Sequence, residues 1–326
     1  MLCADHKSRP IFERSVRGTA NVPPWLGGTV PTMRLQQLLS RLTAALWLAA
    51  LAGGAVGGEP PASTTAIRVA AVGGLTLCGV WPELARRAEL ATGLRIDTVA
   101  TAPKQDILPL FERGEADLLL IHGSDETFDL LARGIAAPLR AWAQNAHVIA
   151  GPPDDPAGVR QAGDGADALR RIALANAPLL SFRDPGSFAI VQRLWRVAGV
   201  RPGPQQQLPD DAWPRQRVLE AAARQRAYVV VGHIPIVFGR QPNPGYQVLL
   251  AGDPAMRRTY VVVEPGPRHP ADAARRASAN QLADYLVSPN GQAALSAANQ
   301  AVATPERPGP WIFPLPQSPA SGAAVD

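Results

Sequence analysis

The sequence is short of cysteine: Cys3 and Cys78 are the only two, which excludes a disulfide framework and a cysteine metal cluster. No run of lysine and arginine interleaved with aromatics occurs, so nothing marks a nucleic-acid surface. The formal charge of +5 points the other way only until it is located. Six of the 32 basic residues and two of the 27 acidic ones fall in residues 1–58, which leaves 26 against 25 and a nearly neutral body. Neither serine of the later loop, Ser181 or Ser187, sits in a G-x-S-x-G nucleophile pattern. No cofactor motif or metal-ligand set is read, and His122 has no second histidine near it in sequence.

What is present comes in a definite order. The 326 residues, 46% hydrophobic and 18% charged, can bury a sizeable core in one or two domains. Residues 1–32 show no usable periodicity and read as an over-extended start. Residues 33–58 read as a secretory signal: Arg34 and Arg41 are followed by the apolar stretch Leu42 to Ala52 and then small residues, too short a run for a permanent anchor. With that segment removed Cys78 stands alone inside an apolar run, where the expected role is a small buried hydrophobe. Residues 59–66 form a Pro-containing linker.

From Ile67 strand-like and helix-like stretches alternate. IRVAAV, LRIDTVAT and ADLLLIH read as strands separated by helices over 82–91 and 107–113, with another over 127–133. ADLLLIH has the unbroken apolar character of a strand buried on both faces. This β-α-β-α-β order predicts a doubly wound lobe over 67–145. AHVIAG leaves it, and a second lobe over 146–258 contains the strand YVVV and helices near 167–175, 188–198 and 217–226. TYVVVE crosses back, and 259–302 completes the first lobe with a long helix and a short one capped by Ser288. The tail, 303–326, is Pro-rich and reads as disordered, although Trp311 to Phe313 have the apolar character to dock. Two crossings between α/β lobes make a hinged cleft, the architecture of periplasmic solute-binding proteins, with ligands at the carboxyl ends of strands.

The segment NAPLLSFRDPGSFAIVQRLWRVAG centres the functional reading. A strand ending in a Gly/Ser turn that feeds a helix leaves unpaired N–H groups and a positive dipole end, a seat for an anion. Arg183, Ser181, Gly186 and Ser187 stand at that turn, and Gly73–Gly74 permits close backbone approach after the first strand. His233, at the end of YVVV, and Thr101 complete the candidate ligand set. A simple cap at Ser187 and a solvated Arg183 are the plainer alternatives. Asp154–Asp155, in a Pro-bounded turn, are expected to stabilise that turn, and Leu194 and Trp195 to face the core.

GEADLLLIH, HVIAGPPDDPAG, ALRRIALANAPLLSFRD, AGDP and SPNGQ resemble the tungstate-binding proteins of ABC uptake systems, in the same order and at similar spacing from Ile67 to Asn299. The resemblance implies a two-lobed type II periplasmic-binding fold, two doubly wound lobes joined by two crossover segments. It implies a monomer in the periplasm that closes on a tungstate- or molybdate-type oxyanion, or a similar small anion, and serves an ABC permease in the inner membrane, without catalysis. The ligand loops depart from the family pattern. Where relatives carry threonine and serine after the first strand, this chain has Ala71, Val72, Gly73 and Gly74. The arginine of the second loop is displaced by one position, at Arg183, and Gly232, His233, Ile234 and Pro235 replace an Asp-Arg-Gly-Thr turn. A sensor module that has lost transport, and a hydrolase using Ser181 or Ser187, His233 and Asp184, stay open as alternatives.

Overall fold

A computed structural model describes residues 66–211 and 214–316. The over-extended start, the signal segment and nearly all of the linker therefore lie outside the described residues. The first half is built from β1 (Ile67–Val72), α1 (Gly73–Leu77), α2 (Val80–Thr92), β2 (Ile96–Ala102), α3 (Lys104–Glu112), β3 (Leu118–His122) and α4 (Asp125–Ala132). β4 (Arg140–Gly151) leads into α5 (Gly165–Leu174), β5 (Leu179–Ser181), α6 (Pro185–Ala198), β6 (Leu208–Pro209), α7 (Val218–Arg224), β7 (Tyr228–Gly232), α8 (His233–Val237) and β8 (Gln247–Leu250). β9 (Arg257–Val263) returns the chain to α9 (Ala273–Val287), α10 (Pro289–Val302) and β10 (Ile312–Pro314).

The strands follow the order β2-β1-β3-β9-β4-β7-β5-β6, with β8 and β10 paired to β4. β1 runs parallel to β2 and β3, and β9 lies antiparallel between β3 and β4. The residues Leu118 to Ile121 are fully buried, as an unbroken apolar run requires. The long strand β4 is the join. Its residues 140–146 pair with β9, and its residues 147–150 pair with β7 of the second half. Side chains alternate across that half: Ile149 joins Leu169, Leu194, Trp195 and Val230 on the face covered by α5 and α6, and Val148 joins Leu219, Val229 and Val231 on the other. The fold is thus the expected two-lobed α/β architecture, with β4 and β9 as crossovers.

Local chemistry explains where elements begin and end. α6 starts at Pro185, three residues before the expected helix, because Asp184 is its N-cap and accepts from the Ser187 N–H at 2.9 Å. Ser187 is therefore not the cap. Asp155 sits at φ 43° and accepts from the N–H groups of Val159 and Arg160 and from the Tyr228 hydroxyl, a turn role as expected. Gly232–Pro235, expected as a turn, opens the one-turn helix α8 instead. The helix that Ser288 caps is 14 residues long rather than short.

The expectation of a disordered tail is corrected for the described part. β10 pairs antiparallel with Ala143–Asn145 of β4. Asn299 of α10 holds it, accepting from the N–H groups of Trp311 and Ile312 and donating to the Ile312 carbonyl. Trp311 then packs against His233 at 5.6 Å and Phe238 at 5.2 Å, both contributed by the second half, and Arg257 of β9 lies 3.9 Å over the Phe313 ring.

Candidate functional site

A cleft of about 440 Å³ opens where the two halves and the β9 crossover meet. One wall is the α4 N-terminus, with Gly123, Ser124, Asp125 and Glu126, joined by Lys104; the facing wall is α6, with Pro185, Gly186, Ala189, Ile190 and Arg193. Arg257, Arg258 and Thr259 line the space between them. Four cations thus face two carboxylates, and the cleft is positive on balance.

Three of those cations are already engaged. Lys104 donates to Glu126 Oε2 at 2.7 Å, and with Ser124 beside it holds that carboxyl down at about 2. Arg193 is exposed and donates to the carbonyls of Ala255 and Arg257. Arg257 lies over the Phe313 ring and, among the described residues, makes no hydrogen bond or ion pair. Arg258 is different. Its guanidinium has no hydrogen bond or ion pair with a described residue, and it lies so close over the α6 N-terminus that a Cβ at Gly186 would sit 2.5 Å from Nη1. Burial lowers its pKa, against the opposing fields of Asp184, Tyr260 and Glu126. A guanidinium at the positive end of a helix is doubly unfavourable unless an anion joins them. Ser187, 1% exposed at the same helix end, has a hydroxyl with no hydrogen-bond partner among the described residues.

Two neutral histidines sit beside this group. His122 Nε2 lies 3.0 Å from Asn145 Oδ1, to which it donates as the Nε2–H tautomer, and the ring stacks on Tyr260 at 4.0 Å; burial, then Arg258, push its pKa well down. His147, on the face of β4 that looks toward α6, is pushed to about 4 by burial, with Arg258 and Arg193 helping and Asp184 opposing. Because the unfolded ring takes up a proton near 6.5 and the folded one only near 4, the contribution of His147 to stability is complete above about pH 6.5. It falls as the pH drops through that interval and levels off below it. His233 and His269 shift the same way, each chiefly through burial. The melting temperature should therefore fall between pH 6.5 and 4, and His147→Gln should flatten that fall.

The sequence candidates divide. Gly186 lines the cleft, and Ser187 lies one residue further along the same helix. Gly73 and Gly74 open α1, where a Cβ on Gly74 would meet the Tyr260 hydroxyl at 3.5 Å and Ile234 Cδ1 at 4.0 Å. Ile234 of α8 is 1% exposed and belongs to the apolar core of the first half. Thr101 is exposed and bonds Thr76 at 3.1 Å, and Ser181 ends β5 in register with Pro209. Arg183 is exposed, donates to the Asp210 carbonyl and does not line the cleft. His233 packs on Trp311. The Ser187 hydroxyl is not bonded to His233, so the hydrolase set is not joined. Sequence reasoning missed Arg258, although two adjacent arginines opening an apolar strand at a chain crossing are a readable signal.

The family described as bacterial extracellular solute-binding protein matches residues 67–298. The chain belongs to this family. A Haloferax volcanii protein named for anion binding in an ABC transporter is 27% identical over 195 residues, 56% of this chain and 54% of its own, so the chain spans about half the length of that relative. Among solved structures, a tungstate binding protein from Desulfovibrio alaskensis G20 superposes with a TM-score of 0.60 at 21% identity, over 77% of this chain and 99% of its own. The tungstate ABC transporter structure from Geobacter sulfurreducens gives 0.56 at 22% identity, over 72% and 98%. At that identity the likeness carries the fold, and it agrees with the two-lobed architecture of this solute-binding chain.

Proposed function

We propose that this solute-binding protein is the periplasmic, monomeric component of an ABC uptake system, one that closes on a small anion between its lobes and hands it to an inner-membrane permease without catalysis. The observation that carries the anion is the Arg258 guanidinium, unpaired among the described residues, over the α6 N-terminus. The names of the Haloferax and Desulfovibrio relatives support it. Gly186 and Ser187 supply main-chain and hydroxyl donors from one lobe, and Gly123 and Ser124 at the α4 N-terminus stand opposite them on the other. Closure couples affinity to conformation, because contacts made from both lobes exist only in the closed state.

A thermal-shift screen with tungstate, molybdate, sulfate, phosphate and carboxylates tests this reading. At a hundredfold excess over its dissociation constant a ligand adds about 2.7 kcal/mol, so the binding anion should raise the melting temperature by about 5–10 °C. No shift with any of them at millimolar concentration would overturn it.

A further inference from the structure

The α6 end of the cleft already holds a carboxylate of its own, and its effect on a solute rests on the anion-binding function proposed for the chain. We infer that Asp184 is a resident anion in the site: it shares the α6 N-terminus and Arg258 with any solute, holds affinity down, and penalises a doubly charged solute more than a singly charged one. The first turn of α6 has few N–H groups to give. Pro185 has none, the Ser187 N–H donates to Asp184 Oδ2 at 2.9 Å, and the Phe188 N–H donates to the Asp184 carbonyl at 2.9 Å. Gly186 keeps an open N–H there among the described residues. Asp184 thus takes the place at the positive end of the helix that a bound anion would take.

The site is not discharged by it. Asp184 makes no ion pair with Arg258 among the described residues, yet its negative field reaches both Arg258 and the buried His147, where it opposes the effect of burial. The Ser187 hydroxyl and His147 Nδ1, on residues 1% and 3% exposed, have no hydrogen-bond partner among the described residues. A guanidinium, a hydroxyl and an imidazole nitrogen are left for a guest. A fixed negative charge stands just before Gly186, the residue that Arg258 covers. Repulsion between two charges scales with their product, so a dianion meets about twice the penalty of a monoanion of the same shape. In binding constants the second factor is the square of the first.

Calorimetric titration of the full chain, as wild type, Asp184→Asn and Asp184→Ser, tests the inference. Both replacements keep a capping oxygen for the Ser187 N–H, and should one melt early the other carries the test. The probes are pairs that differ in charge more than in shape: perchlorate and sulfate, perrhenate and tungstate, butyrate and succinate. Asp184 is half-buried, so solvent screens it and the gains are moderate. Its removal should tighten the singly charged member of a binding pair about threefold and the doubly charged member about tenfold. Asp97→Asn, which removes an exposed carboxylate on β2, should leave affinities unchanged; an equal gain there would assign the effect to net charge and overturn the inference. If the gain is absent, or the same for both charges, or if probes bind more weakly without the carboxylate, the inference falls and the anion-binding reading stands. If probes bind Asp184→Asn but not wild type, the resident carboxylate stands and the uptake reading falls. If no probe binds either protein, both readings fall.

Discussion

Replacing Asp117 with alanine should cost about 3–5 kcal/mol of stability and lower the melting temperature by about 10 °C. Asp117 is fully buried just before β3 and is bound by one residue of the neighbouring strand in three ways. Arg68 donates to it from its main-chain N–H at 3.0 Å, from Nε at 3.0 Å and from Nη2 at 2.6 Å. The same Nη2 donates to the Gly114 carbonyl at 2.6 Å, so the pair also fixes the turn between α3 and β3. Alanine leaves the guanidinium facing a space without its counter-charge and strands a β1 N–H group. The loss comes from breaking one side of a buried pair, which costs far more than the pair contributes against an apolar replacement. Asp117→Ala with Arg68→Met should therefore recover part of the loss, a double-mutant comparison that separates pairing from packing. A full loss in the double variant would assign the effect to packing.

Asn299→Ala should cost about 2–5 kcal/mol by leaving buried main-chain groups unpaired, and its effect should be local first. The Asn299 amide bridges four partners: Nδ2 donates to the carbonyls of Leu295 and Ile312, and Oδ1 accepts from the N–H groups of Trp311 and Ile312. Trp311 and Ile312 are 3% and 0% exposed, so water cannot take over these bonds without the segment lifting away. Amide exchange should accelerate at residues 311–315 before it does in β1 or β3, and proteolysis should find a new site between 303 and 311. Uniform acceleration across the chain would assign the cost to α10 instead.

The parts of this molecule that could be read from sequence are those whose pattern is written where they stand. ADLLLIH announces a strand buried on both faces because every residue from Leu118 to Ile121 meets core. The Asp-Pro-Gly-Ser turn announces a helix start, and the proposed anion seat at Gly186 is placed on it. What was not legible depends on partners far along the chain. Pro310 and Pro314 disguise β10, whose strand partner lies at 143–145. Pro235 and Gly232 disguise α8, a helix of one turn that lies against the first half. Arg183 has the right spacing for a ligand residue, yet Asp210 takes its guanidinium; the Arg257–Arg258 pair is visible in the sequence, but only α6 shows where Arg258 points.

The position of Trp311 makes the chain its own optical gauge. The indole is carried by a strand paired with β4 and rests on the His233 and Phe238 rings, at the two ends of α8. Any movement of α8 relative to β10 changes what surrounds this fluorophore. Its emission therefore reports on the seam between α8 and β10 without a dye, and neighbouring Phe313 brings the same segment to Arg257 at the cleft, so a solute that displaces Arg257 is expected to be felt at Trp311 two residues away.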